Sequence, residues 1–139
     1  MTVVRIALAN IARAATADGS VDAAVAAVEG AAAREATVVC FPECYVPGYR
    51  WPGTDQEPPD QAFLDEAFSF IAAATARAGI TVILGTERVT EHGLQITACV
   101  IDPDGTVQGW QDKGQLDPSE EPIYPAFGTH RRVFAAGPL

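Results

Sequence analysis

Lysine is almost missing from this chain: Lys113 is the only one, and the other eight basic residues are arginines. Bases are scarce altogether, 9 against 18 acids for a net charge of −9, which argues against nucleic acid or an anionic membrane surface as the main partner. No apolar run approaches the ~20 residues that a bilayer span needs, and the N-terminus lacks the pattern of a signal peptide. Cysteine is sparse and odd in number, three in all, so no disulfide framework is expected and a reducing cytoplasm is the default location. Charged residues make up only 19% while 48% are apolar, a balance that excludes global disorder. Neither an internal repeat nor a low-complexity linker is visible. At 139 residues the chain fits one domain, 1–139, and leaves no room for two well-cored ones.

What is there reads as alternating strands and helices. Val3 to Ala9 is a short apolar run rich in β-branched residues, which suits a buried strand. Ser20 is a reasonable N-cap for a helix whose Val21, Val25, Val28 and Ala32 fall on one face. Thr37 to Phe41 forms a second buried strand, stopped by Pro42. From Pro42 to Pro59, prolines, glycines and aromatics crowd a long ordered loop, a place where function concentrates. Asp60 opens a second helix with Leu64, Ala67, Phe68, Ile71, Thr75 and Ala78 inward and Gly79 as its stop. Ile80–Thr86, Leu94–Ile101 and Thr106 to about Asp112 complete the set as strands, the last two joined by the Pro103-Asp104-Gly105 turn. The order β-α-β-α-β-β-β predicts an α/β fold, parallel at first and an antiparallel meander after.

Two segments carry chemistry. In Phe41-Pro42-Glu43-Cys44-Tyr45-Val46-Pro47-Gly48-Tyr49, a carboxylate stands at the C-terminal end of a buried strand among aromatics, where α/β proteins put catalytic groups. Such a carboxylate suits proton transfer; the plainer alternative is an acid that caps loop backbone. The second segment, Gln111 to Glu121, holds the lone lysine. An ammonium is a compact point charge that can sit beside a developing oxyanion, a task arginine does not duplicate. The plainer alternative is an ordinary surface lysine. Cys40, Cys44, His92 and His130 are metal-ligating types, but no pair has the tight spacing of a zinc hook, so no metal is expected.

Together the two segments resemble the nitrilase, or carbon–nitrogen hydrolase, superfamily. Phe41-Pro42-Glu43 looks like its glutamate motif, and Val46-Pro47-Gly48-Tyr49 with Trp51 is similar to the nitrilase and amidase branches. Asp112-Lys113 followed by Leu116 looks like the lysine motif, with Gln111 where a tyrosine is often found. The resemblance covers the whole chain and implies the first half of an α-β-β-α sandwich. It implies Glu43 as general base, Lys113 as stabiliser of the tetrahedral intermediate, and Glu121 as the group orienting Lys113, with adjacent Glu120 as its rival. Tyr49 and Trp51 would line the substrate site. The expected reaction is hydrolysis of an amide, nitrile or carbamoyl compound through a cysteine adduct, without cofactor.

The cysteine is where the chain departs from the family pattern. It should follow the next strand, the one expected around Arg132-Val133-Phe134-Ala135, beyond Phe134-Ala135-Ala136-Gly137, and the sequence stops at Leu139. Cys40 lies in a strand, Cys44 adjoins Glu43 on the opposite side, and Cys99 reads as a core hydrophobe. The 139 residues are therefore expected to be inactive alone, to lack the nucleophile, and to work as a homo-oligomer or with a complementary C-terminal half. A different class of answer is a non-catalytic binding or assembly module on the same fold.

Overall fold

The computed structural model describes residues 3–53 and 56–136. The elements run β1 (Ile6–Leu8), α1 (Ala17–Ala32), β2 (Val38–Cys40), α2 (Gln61–Ala78), β3 (Thr81–Thr90), β4 (Gly93–Ile101) and β5 (Val107–Asp112). The strands form one sheet in the order β1-β2-β3-β4-β5. β1, β2 and β3 pair in parallel, and β3-β4-β5 is an antiparallel meander. Helices α1 and α2 pack on each other and on the sheet. There Val21, Val28, Ile71, Val39, Val82, Leu84 and Ile101 share one core. The fold is α/β: a helix layer on a sheet, as the sequence order predicts.

α2 follows its sequence signals closely. Asp60 caps it, its carboxylate accepting from the amides of Ala62 and Phe63, and Gly79 ends it at φ 66° in the left-handed region that glycine enters without penalty. Leu64, Ala67, Ile71 and Thr75 are buried, with Phe68 and Ala78 packed partly against the core.

α1 begins a turn earlier than the Ser20 cap predicts. Thr16 is the N-cap, its hydroxyl accepting from Gly19 N at 3.0 Å, and Ser20 lies buried inside the helix with its hydroxyl on Ala17 O. A serine hydroxyl that bonds back to its own helix is compatible with an interior position. Val21 and Val28 are inward, with Val25 and Ala32 partly so.

Two strand expectations need correction. The Val3–Ala9 run is not a buried strand: β1 is short and lies at the sheet edge, with Ile6 53% and Leu8 78% exposed while Ala7 packs on the core. An apolar run specifies a strand but not which neighbours cover it. The segment Arg132–Ala135 is not a strand of the sheet. It lies along β5 held by side chains: Arg132 N gives to Gln111 Oε1 at 2.8 Å, and Ala135 N to Gln108 Oε1 at 2.9 Å. Gly137 and Leu139 lie outside the described residues.

Candidate active site

Glu43 owes its position to an excursion between β2 and β3. Phe41 N still bonds Ile83 O at 2.9 Å, and Val46 N returns to Gly85 O at 3.3 Å, with the Thr86 hydroxyl on Val46 O at 2.7 Å. The residues between them need more room than the two β3 positions they span, so the chain arches out at Glu43. Cys44 turns it back at φ 46°, a conformation uncommon for a residue with a side chain. The arch lies directly on Gly85: a Cβ there would come within 2.7 Å of Pro42 C and 3.0 Å of Glu43 Cα. Only glycine lets the backbone approach so closely.

Lys113 stands just past the end of β5. Its N–H bonds Ile96 O at 2.9 Å and its carbonyl accepts from Gly128 N at 2.8 Å, while Arg88 grips the preceding Asp112 at 2.9 Å through both carboxylate oxygens. The backbone is fixed on both sides. The ammonium therefore has a defined reach.

The side chains converge. Lys113 Nζ lies 2.9 Å from Glu43 Oε1 and 2.8 Å from Glu120 Oε1. Tyr49 OH donates to that same Glu120 oxygen at 2.6 Å, and Asp117 N to the other at 2.7 Å. Glu120 is 3% exposed, Lys113 27% and Glu43 45%, so the cluster is buried at one end and open at the other. An ammonium has three donors. Two are spent on the carboxylates, leaving one for a further acceptor.

The electrostatics follow. Burial pushes the Lys113 ammonium towards losing its proton, but its hydrogen bonds to Glu120 and Glu43 and their charges outweigh burial and hold its pKa above the usual lysine range. Burial alone would raise Glu120, yet Lys113, Tyr49 and the Asp117 amide bring it below the usual range. Tyr49 is pushed up to about 12, by burial first and then by the Glu120 carboxylate that its hydroxyl serves. Lys113 is therefore a fixed positive charge and not a base.

One predicted residue is corrected. Glu120, not Glu121, meets Lys113; Glu121 is exposed and faces away. The Asp117 side chain accepts from Ser119 N at 2.9 Å and the Asp117 carbonyl accepts from Glu120 N at 2.8 Å, a turn that sends position 120 inward. Of the predicted substrate-binding aromatics, Tyr49 sits in the cluster. Trp51 stacks behind it at 5.9 Å, 43% exposed, with the Arg13 guanidinium 4.6 Å over its ring. The sequence reading missed Gly85, Tyr124 and the pair Arg50–Glu87. In β3 Glu87 stands between Thr86 and Arg88, so no apolar contrast marks it in the sequence.

None of the chain's three thiols is poised to attack. Cys44 is buried on Thr86 O and pushed up to about 12 chiefly by burial, Cys99 likewise to about 12, and Cys40 is raised for the same reason. Among the described residues, no group of three or more His, Cys, Asp or Glu side chains is arranged to hold a metal ion. No helix among them is long and apolar enough to cross a membrane.

The fold has relatives among known proteins. The chain is 30% identical over 100 residues to an arylacetonitrilase of Arthroderma benhamiae, covering 63% of this chain and 29% of that protein. Its fold is that of an amidase from Nesterenkonia sp. AN1, solved as a C145A mutant with butyramide. The TM-score is 0.78 at 24% identity, covering 96% of this chain and 52% of that one. It is also similar to a glutamine-dependent NAD+ synthetase of Acinetobacter baumannii, with a TM-score of 0.78 at 24% identity over 94% of this chain and 25% of that one. The chain thus spans between about a quarter and a half of these relatives. The profile of the carbon–nitrogen hydrolases matches residues 5–136, and the chain belongs to that family.

Proposed function

We propose that this chain supplies the acid–base and charge-stabilising groups of a hydrolase acting on non-peptide carbon–nitrogen bonds, in an amide, nitrile or carbamoyl compound. The observation that carries the reading is the single ammonium of Lys113 held between Glu43 and Glu120 with one donor to spare. Glu43, the more exposed carboxylate, takes the proton of an attacking thiol and returns it to the leaving nitrogen. Lys113 offsets the charge that develops on the substrate oxygen or nitrogen. Glu120 keeps Lys113 charged and aimed, and Tyr49 with Trp51 forms an aromatic wall. The nucleophile is a cysteine outside residues 1–139, because the three thiols within it are buried or raised. No cofactor is required by this scheme. The thiols are unpaired, which suits a reducing cytoplasm.

The test is hydrolysis of simple amides and nitriles by the 139-residue chain alone and by the chain joined to a complementary C-terminal half carrying a strand-end cysteine. We expect no turnover from the first. From the second we expect turnover through an acyl-thioester visible by mass, abolished by Glu43→Gln and by Lys113→Met. Steady hydrolysis by the chain alone, lost in Glu43→Gln, would place the nucleophile within it. Should the joined protein bind these compounds but never form the adduct, the chain is a binding or assembly module.

A further inference from the structure

Behind Tyr49 lies a charge pair that the hydrolytic scheme does not use. Glu87, inside β3, is fully buried, and both its oxygens accept from Arg50, Nε and Nη2 each at 2.8 Å. Arg50 is nearly as enclosed, its side chain 11% exposed, and its Nη1 gives to Glu57 O. A buried ion pair is a poor way to gain stability, since apolar side chains of similar volume often serve as well or better. What such a pair does offer is a fixed position, and a bidentate fork fixes both distance and angle.

The position it fixes is that of the neighbouring residue. Along the chain, Arg50 reaches to Glu87 while Tyr49 reaches to Glu120. A third group joins the two. The Tyr124 hydroxyl accepts from Arg50 N at 3.1 Å, its ring lies 6.2 Å from that of Tyr49 at 29°, and its own amide bonds Glu120 O at 2.8 Å. The contacts close a circuit: Glu87 to Arg50, Arg50 to Tyr124, Tyr124 to Glu120, Glu120 to Tyr49, and Tyr49 back along the chain to Arg50.

We propose that Arg50 and Glu87 are positioning residues of the site. Their bidentate pair sets the place of Tyr49, and through the Tyr49 hydroxyl it sets the Glu120 carboxylate that holds Lys113. This rests on the reading of Glu120 and Lys113 as reaction machinery, but its test does not depend on turnover. In this account the loop from Cys44 to Trp51 is registered from beneath by β3.

The experiment observes the Tyr49 hydroxyl proton by NMR at neutral pH. A phenol bonded to a carboxylate at 2.6 Å gives a slowly exchanging downfield resonance, assigned by its absence in Tyr49→Phe. In Glu87→Gln and in Arg50→Lys, we expect that resonance to lose at least half its intensity while the amide resonances of α2, β3 and β4 keep their dispersion. Arg50→Lys keeps both charges and removes only the fork, so it reads the effect of geometry if Glu87→Gln does not fold. A resonance unchanged in either folded variant overturns the proposal, as does its absence from the unsubstituted protein. If neither variant folds, the pair is structural and the proposal is wrong. A failure to hydrolyse amides or nitriles would refute the proposed function and leave this result standing.

Discussion

Glu120 and Glu121 are adjacent and chemically identical, yet one is 3% exposed against an ammonium and the other lies in solvent. Counting from Lys113 cannot separate them, because the choice is made by the turn at Asp117-Pro118-Ser119. That choice has a consequence for acid stability. The carboxyl of Glu120 is held below its usual range in the folded protein, whereas an unfolded glutamate titrates near about 4.3. Below that value the unfolded chain takes up a proton that the folded one still excludes, so folding is progressively disfavoured as pH falls. The contribution is complete above the unfolded value and is lost as pH drops through the folded one. Glu120→Gln should therefore shrink the loss in urea midpoint between about pH 6 and about pH 3. Asp117 and Asp104 also titrate low and remain in the variant, so the difference isolates Glu120. Equal losses in both proteins would contradict the assignment.

At the scale of elements, the arch between β2 and β3 is the part of the fold most directly tied to the site. It depends on Gly85 having no side chain. Gly85→Ala should cost about 1–3 kcal/mol by overpacking and should separate Glu43 from Lys113; urea unfolding measures the first effect and a crystal structure the second. An alanine tolerated at full stability would mean that the arch sits less tightly than described. The helices and strands themselves were largely readable. α2 could be drawn from Asp60 to Gly79 because cap, apolar face and stop all agree. The start of α1 was misread because Ser20 is a good cap by type, whereas the turn out of β1 delivers the chain to Thr16. Glu43 and Lys113 were found because each carries a local signal, a carboxylate at a strand end among aromatics and the one lysine of the sequence. Gly85 and Arg50–Glu87 were not, since both matter only through a segment some forty residues away. Local pattern carries no such information.

For the whole molecule, helices cover one side of the sheet, and an apolar stretch at the β1 edge is left bare. Ile6, Leu8 and Val3 are more than half exposed, as is Val133, which is fully so. Exposed apolar area together with an open strand edge favours association. A net charge of −9 opposes precipitation without covering either. We expect the 139-residue chain to be non-monomeric, as a homo-oligomer or on a complementary half, and Ile6→Lys/Leu8→Lys to shift it towards monomer. Sedimentation equilibrium at low micromolar concentration decides this: a cooperatively unfolding monomer of 14.6 kDa would refute it.

The grip of two carboxylates on Lys113 also bears on survival of the site. Acylated thiols are readily captured by nearby free amines, and the resulting amide would be a dead end. An amine acts as a nucleophile only after it gives up its proton. Glu43 and Glu120 hold that proton on Lys113 well above neutral pH. In the reaction proposed above, the same contacts that would aim a positive charge at the reacting atom would also keep the sequence's one lysine from consuming the acyl intermediate. In a chain that uses arginine for every other base, protection of that intermediate would rest on the two ion contacts of a single ammonium.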